Sequence, residues 1–318
     1  MDNLTHSLVG ALMGQAGLKR RTGLAMPALI IGANIPDIDA ACFLWLQGVQ
    51  HLAFRRGITH GPIAWVLLPL LLAGGLWWFD RWQARRGKRP AGRLPVRFGW
   101  LYALSLIGTL SHPLFDWFNS YGIRLLEPFS SRWFYGDILF IIDPWLLLML
   151  GAGVWASLRR EKRGGAWRHP AWLAMVAITL YICMNWAITR DAARLASLDM
   201  DITHTIANPA MLDPRKRDLI WVGREGRHVA IPGFAGPTED RLVTQPMGDA
   251  WLPSCDLAEA ARRDSQVAAF LFWSRVPFVA RDGDGSLFLR DARFADPRAV
   301  SRFQVELPPG TCTQFFGQ

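Results

Sequence analysis

The sequence predicts a mainly α fold in two parts. Residues 1–190 read as a polytopic helical membrane domain of about six membrane helices, and residues 191–318 as a small α+β soluble domain. Three observations carry this. Hydrophobic residues make up 51% of the 318-residue chain, more than a soluble domain of this length usually holds. There are 16 Trp against 4 Tyr, and Trp is enriched where an amphipathic ring meets the headgroup layer. The apolar residues also fall in long runs separated by basic loops, all before residue 190.

A membrane helix needs about 20 mostly apolar residues at about 1.5 Å each. Residues 62–79, 98–118, 138–158 and 170–188 satisfy that reading. Residues 24–46 are long enough but carry Asp37 and Asp39, and residues 4–18 form a shorter first segment. The opening MDNLTH has an acid and no basic stretch, so no cleavable leader is expected.

The net charge of +9 is unevenly placed. Lys19, Arg20 and Arg21 follow the first segment, residues 81–97 hold seven Lys/Arg, and residues 159–168 hold five. The alternate loops have only Arg55 with Arg56, and Arg124 with Arg132. Basic loops stay cytoplasmic. Six crossings put all three basic loops on that side and the C-terminal domain outside. The basic charge is then explained without nucleic acid, which is not expected as a partner.

The C-terminal part has short apolar runs bounded by turn residues. Residues 219–223 and 228–231 flank Arg224-Glu225-Gly226, and 277–280 and 286–289 flank Asp282-Gly283-Asp284-Gly285. Both patterns predict hairpins, and residues 257–269 read as a helix. Cys42 and Cys183 read as buried apolar residues of membrane segments. Cys255 and Cys312 fall in the outer domain, where an oxidising compartment favours a disulfide.

Ionisable residues inside apolar segments are costly and mark function. Here they are of two kinds, His and Asp: His6; Asp37 and Asp39 after Pro36; His60 after Arg56-Gly57-Ile58-Thr59; and His112 with Asp116. On the six-helix topology all lie at one membrane level. His112 and Asp116 are four apart and share a helix face. Asp2 and His6 are also four apart, although Asp2 also suits a helix N-cap. Imidazole and carboxylate are the ligands of a catalytic divalent metal. The residue types therefore predict a site for zinc first, with manganese or another divalent metal as alternatives, and for one or two ions. His6, Asp37, Asp39, His60, His112 and Asp116 are the expected metal residues. Asp39 or Asp116 is the expected general base, and Arg56 the group that steadies developing negative charge. Serine or cysteine triads, phosphate loops and the HExxH pattern have no counterpart in the sequence. A non-enzymatic metal-binding or regulatory membrane protein keeps the same ligands. A transporter needs ionisable groups through the full membrane depth.

The order Thr-His, Pro-Asp-Ile-Asp, Arg-Gly-Ile-Thr-His and Ser-His-x-x-x-Asp-Trp-x-Asn-x-Tyr-Gly resembles the YdjM-like family of bacterial inner-membrane metal-dependent hydrolases. The resemblance covers residues 1–188. It implies the bacterial inner membrane as location, a bound metal and a hydrolytic activity on an undefined small-molecule or lipid substrate. For some members it also implies a link to a LexA-type regulator. By position it marks His6, Asp37, Asp39, His60, His112 and Asp116, with Arg56, Asn119, Tyr121 and Gly122 completing the motifs.

Overall fold

A computed structural model describes residues 1–196, 202–223, 228–234, 255–295 and 300–312. The chain divides into two compact units. One comprises Met1–Asp39 and Arg56–Trp186, the other Ala40–Arg55 and Ala187–Gln318.

The first unit is helical. Its elements are α1 (Asn3–Gln15), α2 (Ala25–Gly32), α4 (Pro62–Arg85), α5 (Phe98–Trp117), α6 (Pro144–Lys162) and most of α7 (Arg168–Ala196). Asp2 caps α1, its carboxylate accepting from the backbone N–H of Leu4 and Thr5 and from the Thr5 hydroxyl. Asp143 caps α6 by accepting from the Leu146 N–H.

Among the described residues two helices, α4 and α7, are long and apolar enough to cross a membrane, and a third crossing arises if α2 and the following 3₁₀ segment Ile35–Leu44 count as one span. The expectation of about six membrane helices is therefore corrected, for a separate reason at each remaining segment. α1 has 13 residues, about 20 Å at helical rise and short of a hydrocarbon core of about 30 Å. The stretch 24–46 is broken by a bend of 51° between α2 and Ile35–Leu44. α5 has 20 residues, but its last two turns carry Ser111, His112 and Asp116. The apolar part of α6 is shortened because its last turn is Arg159, Arg160 and Lys162. The faces of α4 and α7 agree with their assignment: Val66, Leu67, Leu70 and Leu71 on α4, and Leu173, Val176 and Leu180 on α7, are exposed, as lipid-facing residues are.

α2 is the packing centre. Ala28, Leu29 and Ala33 are fully buried, and α2 packs on α1, α4 and α5. Small residues allow backbone to meet backbone. A side chain at Gly108 of α5 would lie 2.7 Å from the Leu29 carbonyl oxygen, one at Gly32 would lie 2.8 Å from the Ser105 carbonyl oxygen, and one at Gly10 of α1 would lie 2.7 Å from the same Leu29 oxygen. Close approach over small residues is how helices associate when lipid removes the hydrophobic drive between them.

The second unit contains two three-stranded antiparallel sheets, β1-β2-β3 and β4-β5-β6. The strands are β1 (Ile202–Pro209), β2 (Arg217–Gly223), β3 (His228–Phe234), β4 (Pro277–Arg281), β5 (Leu287–Asp291) and β6 (Gln304–Glu306). Both expected hairpins form, as β2–β3 and β4–β5; the turn residues 224–227 lie outside the described residues. The expected helix over 257–269 is two, α8 (Leu257–Arg263) and α9 (Ser265–Trp273). Asp264 divides them: its backbone is extended, and its carboxylate accepts from the Gln266 N–H at 2.7 Å as the cap of α9. Ile206, Ile220, Val276, Phe278 and Ala292 form a buried cluster. Cys255 and Cys312 are disulfide-bonded. Cys42 is buried, whereas Cys183 is exposed on α7, a correction to the buried position expected for it. The short helix α3 (His51–Phe54) packs on α9; Gln50 donates to the Ser265 hydroxyl at 2.7 Å and the Val49 N–H to the Gln266 side chain at 3.3 Å.

Candidate metal centre

The His and Asp residues singled out by the sequence converge in the first unit. His6, His60, His112 and Asp116 are fully buried and Asp39 nearly so, while Asp37 is half-buried. Two overlapping sets place their ligand atoms within 4.8 Å of one another: His6, His112 and Asp116, and Asp37, His60 and His112. Asp39 stands outside both sets.

The backbone contact between α2 and α5 sets the geometry. Gly108 against Leu29 brings His112, one turn later on α5, to the end of α2, where His112 Nδ1 lies 2.7 Å from the Ala33 carbonyl oxygen. A carbonyl only accepts, so in neutral His112 the proton sits on Nδ1 and Nε2 carries a lone pair. That Nε2 faces Asp116 Oδ2 at 3.5 Å and Asp37 Oδ1 at 3.7 Å. The Thr59 hydroxyl lies 3.3 Å from Asp39 Oδ2 and 2.9 Å from His60 Nδ1, and Asp39 Oδ2 is itself 3.6 Å from that nitrogen. His60 Nε2 lies 3.2 Å from His112 Nε2. When the Thr59 hydroxyl donates to Asp39, His60 carries its proton on Nδ1 and the two Nε2 lone pairs face each other, an arrangement that a cation between them stabilises; when it donates to His60, His60 Nε2–H donates to His112 Nε2.

Asp116, i+4 from His112, collects the rest. Its Oδ1 is 3.4 Å from His6 Nε2, and its Oδ2 is 3.7 Å from His60 Nε2 and 3.1 Å from Arg56 Nε. The Met1 α-amino group also pairs with it. His6 stacks on His112 with centroids 3.8 Å apart, and neither ring nitrogen of His6 has a hydrogen-bond partner. Asp116 Oδ2 is likewise without an aligned hydrogen bond. Unbonded polar atoms in a fully buried place are costly, and nitrogen and carboxylate oxygen are the donors a divalent cation takes. The residues fit such an ion.

Arg56 ties the loops to the cluster. Its backbone is left-handed, φ 55°, a conformation non-glycine residues hold at a cost of about 1–3 kcal/mol and mostly at functional sites. Its N–H donates to Asp39 Oδ2 at 2.8 Å, and its guanidinium donates to Asn119 Oδ1 at 3.1 Å and the Gly122 carbonyl at 3.2 Å, and lies over the Tyr121 ring at 4.4 Å. The trailing Asn119, Tyr121 and Gly122 thus act through Arg56. Two contributors have no signal in their own residue type: the Ala33 carbonyl, visible only once α2 meets α5, and the Thr59 hydroxyl. Asp2 is spent on the α1 cap.

A helical bundle with two clear membrane spans and a buried His/Asp cluster defines a membrane protein with a candidate metal centre. The profile described as YdjM inner membrane protein matches residues 1–192. The chain belongs to that family, and its membrane location follows from the family and the apolar helices together. A relative from Bacillus subtilis strain 168, described as uncharacterized protein YfhP, is 25% identical over 295 residues, covering 87% of this chain and 80% of the relative. No solved structure matches the chain.

Proposed function

We propose that this protein is a metal-dependent hydrolase of the inner membrane. The observation that carries the reading is the pair of imidazole Nε2 atoms 3.2 Å apart beside a buried carboxylate. His6, His60, His112, Asp37 and Asp116 would hold one or two divalent ions, zinc first. Such an ion, when bound, would supply an acidified water and Lewis-acid polarisation for hydrolysis of an ester, amide or phosphoester.

The chain's own residues supply the remainder. Asp39 and Thr59 orient His60, the carboxylate–histidine arrangement that fixes a metal ligand. Asp39, which stands outside both ligand sets, or Asp116 would serve as the general base. Arg56 faces the carboxylates and balances negative charge. An amphiphilic or lipid substrate fits, because each ligand-bearing segment exposes an apolar residue within two positions of its ligand: Leu4, Ile38, Ile58 and Leu114. The Cys255–Cys312 bond suits an extracytoplasmic C-terminal unit.

The test is metal content per chain by elemental analysis after purification in detergent without chelator. His60→Ala and His112→Ala should each remove most of the bound metal, and His169→Ala, on the exposed start of α7, should remove none. Folded His60 and His112 variants with wild-type metal, or a metal-free wild type, would falsify the reading.

A further inference from the structure

A second built feature lies in the first unit and shares no residue with the His/Asp cluster. The loop after α1 and the start of α7 come together around a cavity of about 570 Å³ lined by Met13, Ala16, Gly17, Leu18, Arg20, Arg21, Arg168, Trp172 and Met175. On α7, Arg168, Trp172 and Met175 are spaced i, i+4, i+7 and so share one face. Gly17 opposes them at φ 130°, a conformation that favours glycine, and the Arg168 side chain lies in van der Waals reach of it.

The arginine charges at this cavity are not neutralised by any carboxylate among the described residues. Lys19, just outside it, pairs with Glu161. Arg20, Arg21 and Arg168 have no carboxylate partner among the described residues. Aromatic faces hold them instead: Arg20 and Arg168 lie 5.1 and 5.2 Å from the Trp167 ring, and Arg21 lies 5.0 Å from the Trp100 ring. Cation–π contact orients a guanidinium without cancelling its charge. Three oriented guanidinium groups beside an apolar floor of Met13, Leu18 and Met175 match a phosphate joined to a hydrocarbon. The exposed apolar residues Leu173, Val176 and Leu180 continue along α7 from the cavity. Basic pockets between membrane helices are a recurrent seat for anionic headgroups.

We propose that this cavity binds the phosphate headgroup of an anionic phospholipid, with the acyl chains lying along α7. Full-length protein in neutral detergent is titrated with phosphatidylglycerol, phosphatidylcholine and inorganic phosphate, and bound lipid is read by native mass spectrometry. Phosphatidylglycerol should be retained at concentrations at least tenfold lower than phosphatidylcholine. The combined Arg20→Gln, Arg21→Gln, Arg168→Gln variant should lose that preference, and Arg160→Gln with Arg163→Gln should keep it. Ala16→Leu, which narrows the cavity without altering charge, should weaken retention severalfold and covers the case in which the triple variant does not fold. Equal retention of the two lipids overturns the proposal, as does an unchanged preference in folded Arg20/Arg21/Arg168 and Ala16 variants. Inorganic phosphate displacing the lipid at equal concentration assigns the cavity to a free phosphate compound and overturns the lipid.

Discussion

Asp116 in the helical unit and Asp291 in the second unit are both buried aspartates, and they are treated in opposite ways. Asp291 is saturated. Its carboxylate accepts from the Ser274 hydroxyl, the N–H groups of Arg275, Val276 and Arg293, and the Arg293 guanidinium at 2.8 and 2.9 Å. Asp116 also has a guanidinium beside it, yet keeps an oxygen without an aligned hydrogen bond, among three histidines of which one has no hydrogen bond at either nitrogen. The difference teaches that burial of a carboxylate does not mark a site by itself. An incomplete set of partners does, since the missing partner is what a ligand supplies.

Three perturbations sharpen or break that contrast. The largest expected effect is on the second unit. Replacing Cys255 and Cys312 with Ser opens a loop with a sequence separation of 57, costing roughly 4 kcal/mol in the chain-entropy account. Denaturant-dependent proteolysis of the full chain in detergent should show that unit opening first, with metal content unchanged; metal lost together with the disulfide would mean that the two units are not independent in this respect.

Next is Asp291→Asn, which removes the carboxylate charge paired with a buried guanidinium and should cost about 3 kcal/mol, again without loss of metal. Burial alone would raise the Asp291 carboxyl, but the Arg293 charge and the hydrogen bonds hold it below its ordinary value. The wild-type second unit is therefore stabilised above the unfolded aspartate pKa of about 3.9, and that stability is lost as pH falls through the lower folded value. Asp291→Asn should flatten this acid limb; an unaltered limb would assign acid sensitivity to other groups.

The smallest effect is expected from Asp39→Asn, which leaves the proposed ligands in place and loosens the support behind His60 and the contact to the Arg56 N–H. Metal affinity should fall about 10–100-fold with no change in thermal unfolding of the metal-free protein. A loss as complete as that from His112→Ala would make Asp39 a direct ligand.

How much of this was legible in the sequence depends on range. His112 with Asp116 follows from helical spacing. The β2–β3 and β4–β5 hairpins follow from alternating runs and turn residues. Membrane helices were overcounted because hydropathy registers apolar runs without the interruptions that end them: the bend after α2, the polar last turns of α5 and the short α1. The sequence places His6, Asp37, Asp39, His60, His112 and Asp116 at one membrane level only through those six crossings. In the structure five of them fall in two overlapping sets, brought together by the contact of α2 with α5 and by the Arg56 loop. The packing of α3 on α9, 217 residues apart along the chain at Val49 and Gln266, has no local signal at all.

The glycine contact between α2 and α5 has a consequence for proton placement. Gly108 sits four residues before His112, and its missing side chain lets the Ala33 carbonyl reach the imidazole. In neutral His112 that carbonyl selects which nitrogen carries the proton. The orientation of the imidazole is thus set by the spacing of two helix backbones, and a methyl group added at Gly108 would move the acceptor away from a histidine it never touches.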